Sequence, residues 1–321
     1  MEIFLAIVIL IASFALIIFG GDKFVDSSVG IAKKLKVPTP IIGATLVSIG
    51  TTIPELLVTI FSGSSDASGL AVGNALGSII FNSCLIGGML LVFVCLTIKK
   101  NVLPAFILLI FSVLITGIMS INQKIVLAES IILLVLFAIF VSINFISAKK
   151  NPEVQIQSTN KEKSVWFYIL MFVISATMIG VGAYFMVDKA KFLAHMVNIS
   201  DTIIGLTIVS FGTSLPELIT SISAIRKKEA GLGLGNIIGS NIINCTLLIG
   251  ITGLFNVSDG LPISKDTLFV SLPVALLATL LLLLPTIIKK KTYKWQGVCL
   301  LCVYALYYVF LILSAFNVIT I

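Results

Sequence analysis

Charged side chains are scarce in this sequence. They make up 11% of its 321 residues, whereas hydrophobic residues make up 58%, and the mean hydropathy is +1.18. A soluble domain of this length needs far more charge on its surface. Repeated apolar runs of about 20 residues are each long enough to cross a hydrocarbon core of roughly 30 Å. The composition therefore predicts an all-α, multi-pass integral membrane protein that is surrounded by lipid bilayer.

The sequence also lacks the side-chain sets of common enzyme and metal sites. It has one histidine, and its five cysteines show no metal-type spacing. An intramembrane protease would need an aspartyl dyad, a Ser/His pair or a motif such as His-Glu-x-x-His, and none of these is present. The net charge of +7 does not by itself indicate nucleic acid, because its placement in the chain matters more. We therefore expect no enzymatic activity, no cofactor, no nucleic-acid partner and no obligatory protein partner.

What the sequence contains instead is a gapless duplication. Residues 43–88 read GATLVSIGTTIPELLVTIFSGSSDASGLAVGNALGSIIFNSCLIGG, and residues 205–250 read GLTIVSFGTSLPELITSISAIRKKEAGLGLGNIIGSNIINCTLLIG. Each landmark recurs 162 positions later: Gly50 and Gly212, Pro54 and Pro216, Glu55 and Glu217, Asn74 and Asn236, Ser78 and Ser240, Asn82 and Asn244. Each copy places one carboxylate inside a long apolar run, where a charge is costly and usually functional.

Hydropathy predicts ten transmembrane helices, five in each half of the chain. The predicted spans are 3–20, 41–62, 70–97, 102–120, 125–147, 164–186, 202–225, 231–256, 266–288 and 296–317. The polar stretch 148–163 separates them and predicts a flexible cytoplasmic linker. The domains are then a first five-helix repeat, 1–147, the linker, 148–163, and a second repeat, 164–321.

The lysines and arginines predict the orientation of these spans. If the N-terminus is outside, the loops 20–40, 98–101, 148–163, 226–230 and 289–295 face the cytoplasm. These loops hold seventeen basic residues, and the opposite side holds only four, Lys124, Lys189, Lys191 and Lys265. This bias places both termini outside. Because five spans per half is an odd number, the halves have opposite orientations, as in secondary transporters with a midplane site.

Helical spacing gathers the polar residues of each copy into two stripes. The first stripe comprises Ser48, Thr51, Thr52 and Glu55 in one copy, and Ser210, Thr213, Ser214 and Glu217 in the other. The second comprises Asn74, Ser78 and Asn82, and again Asn236, Ser240 and Asn244. Pro54 and Pro216 disturb the turn that precedes each glutamate and free carbonyls there.

The stripes offer carboxylate, hydroxyl, amide and carbonyl oxygens, which hard cations such as Ca²⁺ and Na⁺ prefer. Two carboxylates neutralise one Ca²⁺ or two Na⁺. An empty site with two midplane charges is costly to carry across the membrane, which favours exchange over uniport. A channel would need a continuous polar lining, whereas polarity here concentrates at one depth. Gene duplication also produces symmetric proteins that transport nothing, and this is the alternative to a transporter.

The two motifs resemble a known family. The pattern G-x-T-x-x-[SA]-x-G-T-[ST]-x-P-E, followed by G-N-x-x-G-S-x-x-x-N, is similar to the paired α-repeats of the cation/calcium exchanger superfamily. The nearest branch is that of the sodium/calcium exchangers and their prokaryotic homologues. Proton-coupled calcium exchangers carry Glu-His after the Gly-Asn of the second motif, whereas here Ala75-Leu76 and Ile237-Ile238 follow it.

The resemblance implies an antiporter of the cell membrane that exchanges Na⁺ for Ca²⁺ by alternating access. The alternative is an H⁺-coupled exchanger of Ca²⁺ or another divalent cation. Glu55 and Glu217 are implied as central ligands, and the further implied ligands are Thr51, Thr52, Thr213, Ser214, Ser78, Ser240 and Asn82. Asn244 stands where some members of the superfamily carry Asp, so the formal charge of this site is lower. The resemblance also implies that the first and sixth spans slide against a rigid core.

Overall fold

The computed structural model describes residues 2–63, 68–150, 163–196 and 210–315, and these are almost entirely helical. In chain order the α-helices are α1 (Glu2–Leu35), α2 (Thr39–Ile42), α3 (Ser48–Thr51), α4 (Ile53–Gly63), α5 (Ser68–Ile80), α6 (Gly87–Phe93), α7 (Leu103–Met119), α8 (Leu127–Lys150), α9 (Val165–Met196), α10 (Ser210–Thr213), α11 (Leu215–Arg226), α12 (Ala230–Ile242), α13 (Ile249–Phe255), α14 (Leu272–Lys289) and α15 (Lys294–Ala315). The described π-helical segments are Gly43–Val47, Phe81–Ile86, Ile243–Leu248 and Thr267–Ser271. Two short strands, β1 (Lys124–Ile125) and β2 (Leu261–Pro262), complete the described structure together with the 3₁₀ turns Lys100–Val102 and Ser120–Asn122.

The helices confirm the multi-span membrane class. Among the described residues, eight helices are long and apolar enough to cross a membrane. A ninth span is counted if Thr39–Thr51 and Ile53–Ile60, which are bent by 46° at Thr52, form one broken span. The predicted span 202–225 begins outside the described residues, and most of the predicted linker 148–163 also lies outside them. The count of ten spans and the side on which the termini lie therefore stay predictions.

Two predicted helix ends are wrong. Residues 20–35, predicted as the start of a cytoplasmic loop, continue α1, and the sixth predicted span continues from 186 to Met196. Hydropathy ends a span at its first charges, but a helix ends where its backbone must turn. In α1 that turn comes at Lys36, which has a left-handed φ of 55°, two residues before Pro38.

The long helices α1 and α9 pack on each other, and their contact is two-fold symmetric in sequence. A Cβ on Gly20 would lie 3.0 Å from Cγ1 of Ile179, and a Cβ on Gly182 would lie 2.7 Å from Cγ1 of Ile17. Each residue of the first pair is 162 positions from its counterpart in the second. The missing side chains let the two backbones approach closely, as small residues do at membrane helix crossings.

The loops tie the two halves together. Strands β1 and β2 pair antiparallel, with Ile125 opposite Leu261, and a bridge joins Thr97 to Lys291. Each contact joins one loop from the first half to one from the second. The continuous buried core likewise draws residues from both halves, such as Leu90 and Leu109 with Ile237 and Leu282. The halves therefore form one interlocked bundle, with α5, α6, α12 and α13 at its centre.

Candidate cation-binding site

The two glutamates lie at equivalent breaks in two helices. The first break is at Thr52, between α3 and α4, and the second is at Ser214, between α10 and α11. Each break precedes a proline at the second position of the new helix, which cannot donate a backbone hydrogen bond. Glu55 and Glu217 follow these prolines in the first helical turn, where exposed N–H groups favour a negative charge. Both carboxylates are completely buried.

Each glutamate is contacted by a hydroxyl from the other half of the chain. Ser214 Oγ donates to Oε1 of Glu55 at 3.1 Å, and Thr52 Oγ1 donates to Oε1 of Glu217 at 3.1 Å. Ser214 is the N-cap of α11, but its side chain makes no capping bond. Its hydroxyl is therefore available to the opposite carboxylate. The two helix breaks thus face each other and exchange hydrogen bonds.

The second stripe lies against these breaks. Ser240 Oγ is 3.2 Å from Oε1 of Glu217 and 2.9 Å from Thr52 Oγ1. Its counterpart Ser78 has its hydroxyl 3.0 Å from Ser214 Oγ. The serines on α5 and α12 therefore complete two small oxygen clusters, one at each glutamate.

Asn74 and Asn236 belong to the predicted second stripe but not to the predicted ligands, and each bonds to a threonine of the first stripe. Thr51 Oγ1 donates to Oδ1 of Asn236 at 3.1 Å, and Thr213 Oγ1 donates to Oδ1 of Asn74 at 3.3 Å. Both bonds cross between the halves. The i, i+4 spacing of Asn74 to Ser78 was the sequence signal for this positioning role.

Asn82 and Asn244 lie in the π-helical segments Phe81–Ile86 and Ile243–Leu248, which are themselves 162 residues apart. Such segments occur frequently at functional sites, and no residue pattern predicts them here. Both amides are fully buried, and none of their polar atoms has a hydrogen-bond partner in the described structure.

Oε2 of each glutamate also has no partner among the described residues. Buried polar atoms normally have partners, so unpaired oxygens at this depth indicate a ligand site. As ligands these four side chains offer oxygen atoms and carry two formal charges, and the two glutamates lie beside hydroxyl-rich helix breaks. This donor set fits a hard cation such as Ca²⁺ or Na⁺.

Two predicted residues are less involved in this network. Ser48 is buried, but its hydroxyl donates to the carbonyl of Thr45 at 3.0 Å within its own helix. It also packs closely on Gly239, where an added Cβ would lie 2.4 Å from Ser48 Oγ. Ser210 begins α10, and its side chain lies outside the described part of the structure.

The chain is similar to known membrane proteins over most of its length. The model of the sodium/calcium exchanger protein family matches residues 5–146 and 167–313. The sodium/calcium exchanger MaX1 of Methanosarcina acetivorans is 31% identical over 344 aligned positions, covering 94% of this chain and 97% of MaX1. An uncharacterised membrane protein of Methanocaldococcus jannaschii is 33% identical and covers 90% of this chain and 92% of its own length.

The chain is also similar to solved structures of a sodium-calcium exchanger. The sodium-calcium exchanger NCX_Mj, soaked with Na⁺ and Sr²⁺, superimposes with a TM-score of 0.84 at 32% identity. The match covers 96% of this chain and 99% of NCX_Mj. The similarity therefore extends over nearly the whole of both chains.

Proposed function

Because the chain belongs to the sodium/calcium exchanger protein family, whose members are cation/Ca²⁺ exchangers of membranes, we propose that it exchanges Na⁺ for Ca²⁺ by alternating access. The observation that carries this proposal is the pair of fully buried glutamates, Glu55 and Glu217, each contacted by a hydroxyl of the opposite half. Membrane-embedded carboxylates of this kind mark ion pathways.

In this proposal Glu55 and Glu217 are the central ligands of the transported ion. Their Oε2 atoms and the Oδ1 atoms of Asn82 and Asn244 are four buried oxygens that have no hydrogen-bond partner among the described residues, and we assign them to the ion. The remaining candidate ligands contribute hydroxyl oxygens, or backbone oxygens freed at the helix breaks, and are Ser48, Thr51, Thr52, Ser78, Ser210, Thr213, Ser214 and Ser240.

Charge balance explains why transport is an exchange. One Ca²⁺ or two Na⁺ neutralises the two carboxylates, whereas the empty site leaves two charges in a low-dielectric interior, at a cost of several kcal/mol per ion. A loaded site therefore changes its access more easily than an empty one. Asn244 keeps the formal charge at two, so the site needs no third cation such as K⁺.

The repeat organisation follows from the same symmetry. We propose that residues 1–147 and 164–321 are inverted repeats with both termini outside, joined by the cytoplasmic segment 148–163. The crossed hydrogen bonds and the paired loops, in which every contact has its counterpart in the other half, support this arrangement. The cell membrane is its proposed location.

The coupling ion is tested with purified protein in liposomes. ⁴⁵Ca²⁺ uptake is measured into vesicles loaded with Na⁺, into matched vesicles loaded with K⁺, and into K⁺ vesicles that carry a pH gradient. Uptake that requires internal Na⁺ is the expected result. Uptake driven by the pH gradient without Na⁺ would establish the alternative, H⁺-coupled exchange, because protons also neutralise buried carboxylates.

A further inference from the structure

A cluster of charged residues lies outside the cation site, where α1 crosses α11. Lys227 Nζ is 2.8 Å from Oδ1 of Asp26 and 3.9 Å from Oδ1 of Asp22, and it also donates to the Asp22 carbonyl. Ser223 Oγ donates to Oδ1 of Asp22 at 2.8 Å. The two aspartates belong to α1, whereas Ser223 and Lys227 belong to α11 and its C-cap. The cluster therefore joins two helices that are far apart in sequence.

The charged cluster lies next to a close packing contact between α1 and α11. Ile219, Ser223 and Lys227 follow each other at i+4 and so lie on one face of α11. A Cβ on Gly21 would lie 2.5 Å from Cγ2 of Ile219, so the backbone of α1 rests directly on this face. Glu217 is two residues before Ile219. One helix thus carries both a site carboxylate and the contact with α1.

The symmetric position in the other half is arranged differently. Asp188 is the counterpart of Asp26, and its Oδ2 is 2.7 Å from Nζ of Lys189, the next residue of its own helix. The counterpart of Asp22 is Tyr184, which is 69% exposed. Among the described residues, α9 also makes a much smaller contact with α4 than α1 makes with α11. The equivalent charges therefore join two helices in one half and stay within one helix in the other.

We propose that Asp22, Asp26, Ser223 and Lys227 form a clasp that holds α1 against α11. The clasp closes access to the cation site from the side of the membrane on which α11 ends. Lys227 is then a positioning residue for the exchange cycle. The proposal rests on the proposed alternating-access function, which requires that one end of the site be closed while the other is open. Partly exposed ion pairs shift an equilibrium at most about fivefold, so a clasp of this kind biases the two states and still opens in each cycle.

The transport test uses Lys227→Met, with Lys228→Met as the matched control, because Lys228 is exposed and adjacent. The apparent KM for Ca²⁺ is measured separately at each face of the membrane. A clasp predicts that Lys227→Met raises KM about two- to fivefold at the face opposite the clasp and lowers it at the face of the clasp. Lys227→Arg retains both values, Ser223→Ala gives a smaller shift in the same directions, and Lys228→Met changes neither.

A distance measurement tests the clasp without transport. Spin labels are placed at Leu35→Cys on α1 and at Lys228→Cys beyond α11, in a chain whose exposed Cys95, Cys299 and Cys302 are replaced by serine. Lys227→Met should lengthen or broaden the distance distribution. An unchanged distribution, or KM values that move in the same direction at both faces, would overturn the clasp. A changed distribution in a protein without Na⁺-dependent Ca²⁺ uptake would retain the clasp and reject the proposed function.

Discussion

The hydroxyl of Ser214 donates to Oε1 of Glu55 at 3.1 Å across 159 positions of sequence. Its counterpart, from Thr52 to Glu217, spans 165 positions at the same distance. Each carboxylate therefore accepts a hydrogen bond from the opposite half of the chain. Each carboxylate has groups of both halves around it, so movement of one half against the other changes the surroundings of the two carboxylates.

Loss of either carboxylate should abolish exchange. Glu55→Gln and Glu217→Gln keep the side-chain shape but halve the charge that balances Ca²⁺, and breaking a buried charge pair costs about 3–5 kcal/mol, a loss of about 100-fold or more. ⁴⁵Ca²⁺ uptake into Na⁺-loaded liposomes measures the effect. Glu129→Gln is the control, because the half-buried Glu129 accepts the N–H of Val126 at the start of its own helix. Normal uptake by both site variants would refute the assignment.

Loss of a crossing hydroxyl should weaken the site without abolishing it. Ser214→Ala and Thr52→Val each remove a hydrogen bond to a buried carboxylate, worth about 1.5–3 kcal/mol. We expect a rise of about 10- to 100-fold in the KM for Ca²⁺, similar for the two variants because their contacts are equivalent. Ser48→Ala should change KM much less, since Ser48 bonds its own helix. A larger effect of Ser48→Ala than of the other two would contradict the geometry.

A third acid should make exchange more sensitive to acid pH. Asn244→Asp adds a carboxyl group that must lose its proton before it can balance a cation. The variant should exchange ions near neutral pH but lose its rate more steeply than the wild type as the pH falls. Asn82→Asp, at the symmetric position, should behave alike. Identical pH–rate profiles for the wild type and both variants would indicate that these amides do not face the ion.

One buried glutamine should matter for stability alone. Pro285 lies inside α14 and cannot donate to the carbonyl of Leu281, and Gln296 Nε2 donates to that carbonyl at 2.9 Å. Gln296→Leu should therefore lower the free energy of unfolding by about 1–2 kcal/mol, seen as a lower Tm.

The control for this loss is a double-mutant cycle with Pro285→Ala. This substitution restores the backbone N–H at position 285, which can donate to the carbonyl of Leu281. Gln296→Leu should then cost clearly less in the Pro285→Ala background. An equal loss of stability in both backgrounds would show that the two residues act independently.

The lysine distribution predicts that both termini lie on one side of the membrane and residues 151–162 on the other. Single cysteines at the two termini and within 151–162, introduced into a chain without its exposed cysteines, can be labelled in intact cells with a membrane-impermeant maleimide. The termini should react and the linker should react only after lysis. Labelling of one terminus alone would exclude an even number of spans.

Much of the site could be predicted because its chemistry follows from local spacing. The i, i+3 and i+4 spacing of Glu55, Thr52 and Thr51 predicts that they lie near one another, although the helix is broken at Thr52, and the duplication supplies the second set. What spacing cannot show is which groups meet across the bundle. The bond from Thr51 to Asn236 depends on how α3 and α12 pack, and no local pattern encodes that contact.

The errors have a common physical origin. Hydropathy ends the first span near residue 20, where Asp22 and Lys23 follow, but a helix tolerates charges that find partners or solvent. Here Asp22 is contacted by Ser223 and Lys227 of another helix. The π-helical segments at Asn82 and Asn244 could not be predicted either, because one extra residue in a helical turn does not change the amino-acid composition in a recognisable way.

Direct binding of Ca²⁺ to the purified protein tests the central claim, that Glu55 and Glu217 together hold the transported cation. In a calorimetric titration in detergent, the wild type should bind one Ca²⁺ per chain, and Na⁺ should displace it with a steeper than linear dependence on its concentration. Glu55→Gln and Glu217→Gln should each abolish this heat while retaining the Tm of a folded protein. Undiminished binding of Ca²⁺ by the double variant would place the site elsewhere.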